Sequence, residues 1–214
     1  VSRVKAHTIY KLADGTRVPG TTTITGLLNK PALVAWSNRL GLDGVDVGSY
    51  VDALAAAGSL AHEIINCHLA ADGSEPNYNA YTAEQRSLAE NSALSFYKWL
   101  EQHSFAPVLL EKPLVSEQYR YGGTVDIYCV LDGKYTLIDL KTAKAVYPEA
   151  FTQVSAYRQL LRENGHSIES VRIIRAGRDE SEGFEDIAVG GLDKRFELFT
   201  HLLDVYRLQR ELKE

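Results

Sequence analysis

Methionine is absent from all 214 residues, the first position included, and cysteine occurs only at Cys67 and Cys129. These two form no Cys-x-x-Cys pair, so neither a disulfide framework nor a multi-thiolate metal cluster has anything to stand on, and two buried free thiols are expected. No uncharged apolar run approaches the roughly 20 residues that span a bilayer. The first residues lack the apolar core of a signal peptide, and a cytosolic protein is the expectation. A basic excess is missing as well: 23 Lys and Arg stand against 28 Asp and Glu, for a formal net charge of -5. That balance weighs against holding nucleic acid by a broad basic field, because non-specific affinity comes mainly from phosphate neutralisation. Nucleic-acid chemistry is still open, since divalent metals bound by carboxylates supply positive charge locally.

What is present is the composition of an ordinary soluble globular protein, 45% hydrophobic and 24% charged, and one domain over residues 1–214 is expected, with a hairpin and helices over 1–105 and a sheet with helices over 106–214. Tyr10 to Leu12 and Thr16 to Val18 flank the turn pair Asp14-Gly15 and predict a small hairpin. Thr21, Thr22 and Thr23 precede Ile24 to Leu28, where their hydroxyls can cap a helix start or leave amide donors facing an anion. Pro31 to Leu40, with Trp36, reads as a short helix and Gly41 to Gly48 as a loop, one that matches no phosphate cradle because no lysine follows its glycines. Tyr50 to Ala71 and Thr82 to His103 read as long helices around a polar loop, Asp72 to Asn79. Then the pattern changes to short apolar runs, Val108 to Val115, Gly123 to Leu131 and Tyr135 to Lys141, which read as strands. Pro148 opens a helix to about Glu163; Val171 to Ala176 and Phe184 to Val189 read as further strands, and Asp193 to Glu214 as a closing helix. Helices, a strand meander, then a helix crossing to another strand predict an α/β domain with a mixed sheet.

The chemistry concentrates in Gly123 to Lys141, where Asp132-Gly133 is a strong hairpin signal. A symmetric loop centred there, of two residues or of four, sets Asp126 opposite Asp139. Opposed Cβ atoms in such a pair lie about 5 Å apart, and like charges so placed destabilise a sheet. Both aspartates sit among Val125, Ile127, Leu137, Ile138 and Leu140, where an unpaired carboxylate is costly. A hard divalent cation offsets both, and an oxygen-rich site of this kind selects magnesium, manganese or calcium over zinc. Lys141, two residues past Asp139, projects from the same face. Acid, acid and base on one face suit phosphodiester hydrolysis, in which metal and ammonium stabilise charge gathering on phosphate. The bland alternative for Asp139-x-Lys141 is a simple ion pair.

Other residues carry weaker signals. His62 follows Gly58-Ser-Leu-Ala, whose small side chains permit another backbone to come close; as a neutral imidazole it can complete a metal shell, and otherwise it is a structural histidine. His62-Glu63-Ile64-Ile65-Asn66 is no zinc-protease motif, because Asn66 stands where the second histidine would be. Gln153 and Tyr157 share a helix face. Glu111, between Leu110 and Pro113 in sequence, is an additional outer carboxylate.

At these residues the sequence resembles the PD-(D/E)XK nuclease superfamily, in its RecB-like and phage-type exonuclease branch. The shared pattern is Gly-x-x-x-His ending at His62, Glu111, Gly-Gly-Thr-Val-Asp ending at Asp126, Asp-Leu-Lys at Asp139 to Lys141, and Gln-x-x-x-Tyr from Gln153 to Tyr157. The stretch from Asp14-Gly15 through Pro31, with Trp36, also resembles the opening of phage exonucleases. The resemblance implies a restriction-endonuclease-like core, a mixed β-sheet flanked by helices. It implies magnesium, with manganese substituting, ligated by His62, Asp126, Asp139 and the Leu140 carbonyl. Lys141 would act on the attacking water, with Glu111, Gln153 and Tyr157 completing the catalytic group. No iron-sulfur cluster is expected, because the four cysteines of cluster-bearing relatives are absent. The implied activity is exonucleolytic hydrolysis of DNA in recombination, replication or repair, in the cytoplasm of a bacterium or a phage-infected host. DNA is the implied partner, joined by a single-strand-binding or recombination protein. Two competing readings are a catalytically inactive DNA-binding domain of the same fold and a hydrolase of small phosphate esters.

Overall fold

The computed structural model describes residues 8–28 and 31–213. Asn29 and Lys30, inside the N-terminal stretch of the resemblance, and Glu214, at the end of the expected last helix, lie outside the described residues. The chain opens on the expected hairpin: β1 (Tyr10–Lys11) pairs antiparallel with β2 (Arg17–Val18), and Gly15 takes φ +82° in the turn while Asp14 accepts from the Thr16 amide. Helix α1 (Thr21–Thr25) departs from expectation, since it contains the threonines instead of being capped by them. Gly20 occupies the N-cap without a side-chain hydrogen bond, and the buried Thr21 hydroxyl donates to the Gly122 carbonyl at 2.9 Å, so it is committed to the sheet and not to an anion.

Helix α2 (Pro31–Leu42) runs through Gly41, and α3 (Val47–Ala70) begins before Gly48, which reduces the expected loop to residues 43–46. Asp46 makes the early start: its carboxylate accepts from the Ser49 amide at 2.7 Å and caps α3. Helix α4 (Ala83–Leu100) starts on a reciprocal capping box between Thr82 and Gln85. Strands β3 (Phe105–Ser116), β4 (Tyr121–Leu131) and β5 (Lys134–Lys141) form the meander, followed by α5 (Pro148–Glu163), β6 (Ser170–Ala176), β7 (Phe184–Ala188) and α6 (Leu192–Glu211).

The five strands β3 to β7 lie side by side in chain order, antiparallel except for β5 and β6, which run parallel and are joined through α5. A mixed α/β sheet flanked by helices is therefore the architecture, as expected. One face is covered by α5, α6 and α1: Val125, Tyr128, Leu137, Val171 and Ile173 pack with Val154, Leu160, Phe199 and Ile24. The other is covered by α3 and α4: Ile127, Cys129, Ile138, Leu140 and Ile174 pack with Ile65, Leu69, Phe96 and Trp99. Both cysteines are free; Cys67 is half-buried, and burial of Cys129 pushes its thiol up to about 12. No helix among the described residues is long and apolar enough to cross a membrane.

Candidate metal centre

Three acidic residues fall in one row across the sheet. In β4–β5, Leu131 pairs with Lys134 across a two-residue turn whose Asp132 and Gly133 both take positive φ (49° and 79°), the condition of a type I′ hairpin. The ladder runs to Ile127↔Ile138, so the next step brings Asp126 and Asp139 to the same level. In β3–β4, Leu110↔Ile127 and Lys112↔Val125 bracket Glu111 and set it level with Asp126 from the other side. The row is Glu111, Asp126, Asp139.

At this row the sheet stops being regular. Glu111 takes φ +44°, the left-handed region that costs a non-glycine residue about 1–2 kcal/mol. Alternation breaks in both strands here: Val125 packs on the α5 side while Ile127 packs on the α3 side, and Leu110 packs on the α3 side while Leu114 packs on the α5 side. Strict period-2 alternation would keep each of these pairs together. Asp126 Oδ2 accepts from the Leu140 amide at 2.9 Å, taking a backbone donor of β5 with its side chain. Strand β5 meanwhile pairs with β6 from Thr136↔Ser170 to Lys141↔Arg175, past the end of its ladder with β4. The expectation that Asp126 and Asp139 confront each other as a simple cross-strand pair is thus corrected. They are level in register, but Asp126 bonds the backbone past Asp139.

Each helical layer delivers side chains to this opening. From α3 comes His62, whose Nδ1 lies 3.2 Å from Glu111 Oε1 and 3.9 Å from Asp126 Oδ1. Gly58, one turn earlier, makes that approach feasible: a Cβ there would stand 2.7 Å from Thr142 Oγ1, just past the end of β5. From α5 come Gln153 and Tyr157. Gln153 Nε2 donates to Asp139 Oδ1 at 3.1 Å and to the Tyr157 hydroxyl at 2.9 Å, and its Oε1 accepts from Lys141 Nζ at 3.4 Å. Lys141 Nζ stands 2.7 Å from Asp139 Oδ2 as an ion pair, off the direction of a hydrogen bond. Gly123 admits the Tyr157 ring, since a Cβ would meet Tyr157 Cε1 at 2.6 Å and Thr21 Oγ1 at 2.8 Å. Gly122 does the same for Tyr10, whose hydroxyl hydrogen-bonds Thr124 Oγ1 at 3.0 Å. These glycines seat the N-terminal hairpin and α5 on the start of β4, a role for Tyr10 that the sequence did not reveal.

Charge follows from this packing. Burial, reinforced by Asp139 and Glu111 and opposed by His62 and Lys141, lifts the Asp126 carboxyl from 3.8 to about 6. Burial alone would pull the His62 imidazolium down, but the Asp126 charge and the Glu111 hydrogen bond outweigh it and the net shift is upward. Lys141 behaves alike: burial opposes its charge, yet Asp139 and Asp126 raise it above 10.5, so it is an ammonium. Burial, with Asp126 and Asp139 nearby, holds the Tyr157 phenol well above 10.

Among the described residues, His62, Glu111 and Asp126 each offer a ligand atom within 4.8 Å of the others. Asp139, buried and engaged by Lys141 and Gln153, is outside that group, whereas Glu111, expected as an outer carboxylate, is inside it. A cavity of about 10 Å³, lined by His62, Asn66, Glu111, Asp126 and Leu140 among others, lies at the same place, and that volume is about one water-sized sphere. Three buried side-chain polar atoms among the described residues lack a hydrogen-bond partner: Asn66 Oδ1, Asp139 Oδ2 and Arg158 Nε. The first is an acceptor at this cluster, and a buried acceptor of this kind calls for an electropositive partner, whereas Asp139 Oδ2 already has the Lys141 ammonium at 2.7 Å. An oxygen-rich donor set with one imidazole, a water-sized cavity and a buried acceptor in want of a donor fit a hard divalent cation.

No protein-family model matches the chain, and no curated protein matches it. Among solved structures, that of LHK-Exo in complex with dAMP is similar, with 12% identity and a TM-score of 0.41 over 75% of this chain and 86% of that one.

Proposed function

We propose that this protein is a magnesium-dependent deoxyribonuclease, with His62, Glu111 and Asp126 holding the cation and the Leu140 carbonyl and Asp139 beside them. The observation that carries the reading is the opening of the sheet at Asp126, where a water-sized cavity has an acidic lining and the half-buried Lys141 ammonium stands nearby against Asp139. When bound, the cation activates a water and neutralises charge on the phosphoryl oxygens. Manganese is expected to substitute for magnesium, since both accept such a ligand set.

The chain's own residues do the rest. Lys141 Nζ keeps its protons, so it orients the nucleophile and stabilises phosphate charge as an ammonium instead of abstracting a proton. Gln153 fixes the ammonium by binding Lys141 and Asp139 together, and Tyr157 anchors Gln153 with a hydroxyl that stays protonated. A polyanion suits a site whose positive charge is concentrated at one point on a chain of net charge -5. Release of nucleotides from a DNA end, in recombination, replication or repair and alongside a single-strand-binding or recombination protein, is the biological setting we infer from the family resemblance.

The test is digestion of single- and double-stranded DNA labelled at either end, with magnesium and with chelator. Magnesium-dependent release, lost in Lys141→Ala, is expected. Cleavage that survives chelator or Lys141→Ala, or a wild-type protein that leaves DNA intact, overturns the reading.

A further inference from the structure

Helix α3 carries His62 and, one turn further, Asn66. Residues four apart on a helix share a face, and both line the cavity that also meets Glu111 and Asp126. The Asn66 side-chain oxygen is buried and has no hydrogen-bond partner. Leaving a buried acceptor unsatisfied is costly, so the position needs a donor.

None of the described residues donates to it. The Leu140 amide already donates to Asp126, and His62 Nδ1 faces Glu111. Glu111 and Asp126 line the cavity with carboxylate oxygens, and Ile65 and Ile127 are apolar. An electropositive group entering the cavity would satisfy Asn66 Oδ1.

We infer that Asn66 is a further oxygen donor to the divalent cation's coordination shell, a residue resting on the cation site proposed above and assigned by its buried, unpartnered oxygen at that cavity. An amide suits the place better than a carboxylate. Glu111, Asp126 and Asp139 already crowd three acids into one row, and the substrate brings phosphate charge. A neutral oxygen adds a ligand without adding repulsion. The motif His62-x-x-x-Asn66, which fails as a zinc-protease pair, thereby becomes a nitrogen-plus-oxygen pair suited to a harder ion.

The test is titration of the full chain with Mn²⁺ alone, followed by calorimetry and by the Mn²⁺ spin-resonance signal, for wild type, Asn66→Ala, Asn66→Asp and Asp126→Asn. Asn66→Ala is expected to weaken Mn²⁺ binding about 10–100-fold. Its metal-free melting temperature should stay level or rise, because an unsatisfied buried acceptor has been removed. Asn66→Asp should bind at least as tightly as wild type. Wild-type affinity in Asn66→Ala, with binding still sensitive to Asp126→Asn, overturns the role of Asn66 and leaves the cation site standing. So does a fall in the metal-free melting temperature of Asn66→Ala, which would mark a structural role, or weakened binding in Asn66→Asp, which would mean the amide serves as a donor. Wild-type protein that binds no Mn²⁺, or binds it regardless of Asp126→Asn, overturns the cation site and this inference together.

Discussion

Asp126 meets opposing demands, accepting a backbone N–H in place of a strand neighbour while sitting buried between two other acids. Its folded pKa of about 6 exceeds the ordinary 3.8, mainly through burial. A group raised in this way contributes stability that is fully present below the unfolded value and is lost as pH rises through the folded one. His62, also raised, acts in the same direction: its contribution is present below 6.5 and is lost as pH climbs through its folded value. Metal-free protein is therefore expected to lose stability as pH rises from about 4 through about 6, with ~3 kcal/mol from Asp126, and to lose more above 6.5 as His62 deprotonates. Asp126→Asn keeps an oxygen for the Leu140 amide but cannot ionise, so urea unfolding across pH in chelator should show a much shallower slope; an unchanged slope would contradict the assignment. Glu111 yields a second test. Its φ of +44° is free to glycine, so Glu111→Gly should raise metal-free stability by ~1 kcal/mol while weakening Mn²⁺ binding. A less stable variant would contradict the strain, and wild-type Mn²⁺ binding would contradict the role of the carboxylate.

At the scale of elements, the position of His62 depends on how closely α3 approaches the end of β5. Gly58→Ala would place a Cβ 2.7 Å from Thr142 Oγ1. We expect it to cost about 1–3 kcal/mol, as overpacking does, and to weaken Mn²⁺ binding by displacing His62. Adding Thr142→Ala should recover most of both, and a double-mutant cycle on unfolding and binding measures the coupling; independent, additive effects would rule out this contact. Much of this arrangement was legible in the sequence. Asp132-Gly133 announced a two-residue turn because both positions must take positive φ, and that turn fixed the pairing as far as Ile127↔Ile138. Pro148 marked the start of α5, and Gly58 the close approach of another segment to α3, here Thr142 just past β5. What stayed hidden was non-local. That the β4 ladder ends at Ile127↔Ile138 while β5 goes on pairing with β6, so that Asp126 bonds the Leu140 amide, depends on a strand thirty residues downstream. Nothing in the identity of Glu111 signals a left-handed backbone, so its place among the closest donors was underestimated. The threonines before Ile24 resembled caps because their type favours caps, and only the packing of Thr21 on Gly122 decides otherwise.

Across the whole molecule, the candidate site is the place where the two helical layers meet through the sheet. On one side α3 contributes His62 and Asn66, on the other α5 contributes Gln153 and Tyr157, and the break in alternation at Glu111 and Asp126 opens the sheet between them. A regular ladder would have kept these groups on opposite faces. With an overall charge of -5, the protein has to gather positive charge at this point to engage a polyanion. The claim that a cation sits there is open to direct observation. Crystals grown with manganese and measured for its anomalous scattering should show a peak in the cavity bounded by His62, Glu111 and Asp126. Manganese bound elsewhere with that cavity vacant, or no peak at all, would contradict the account.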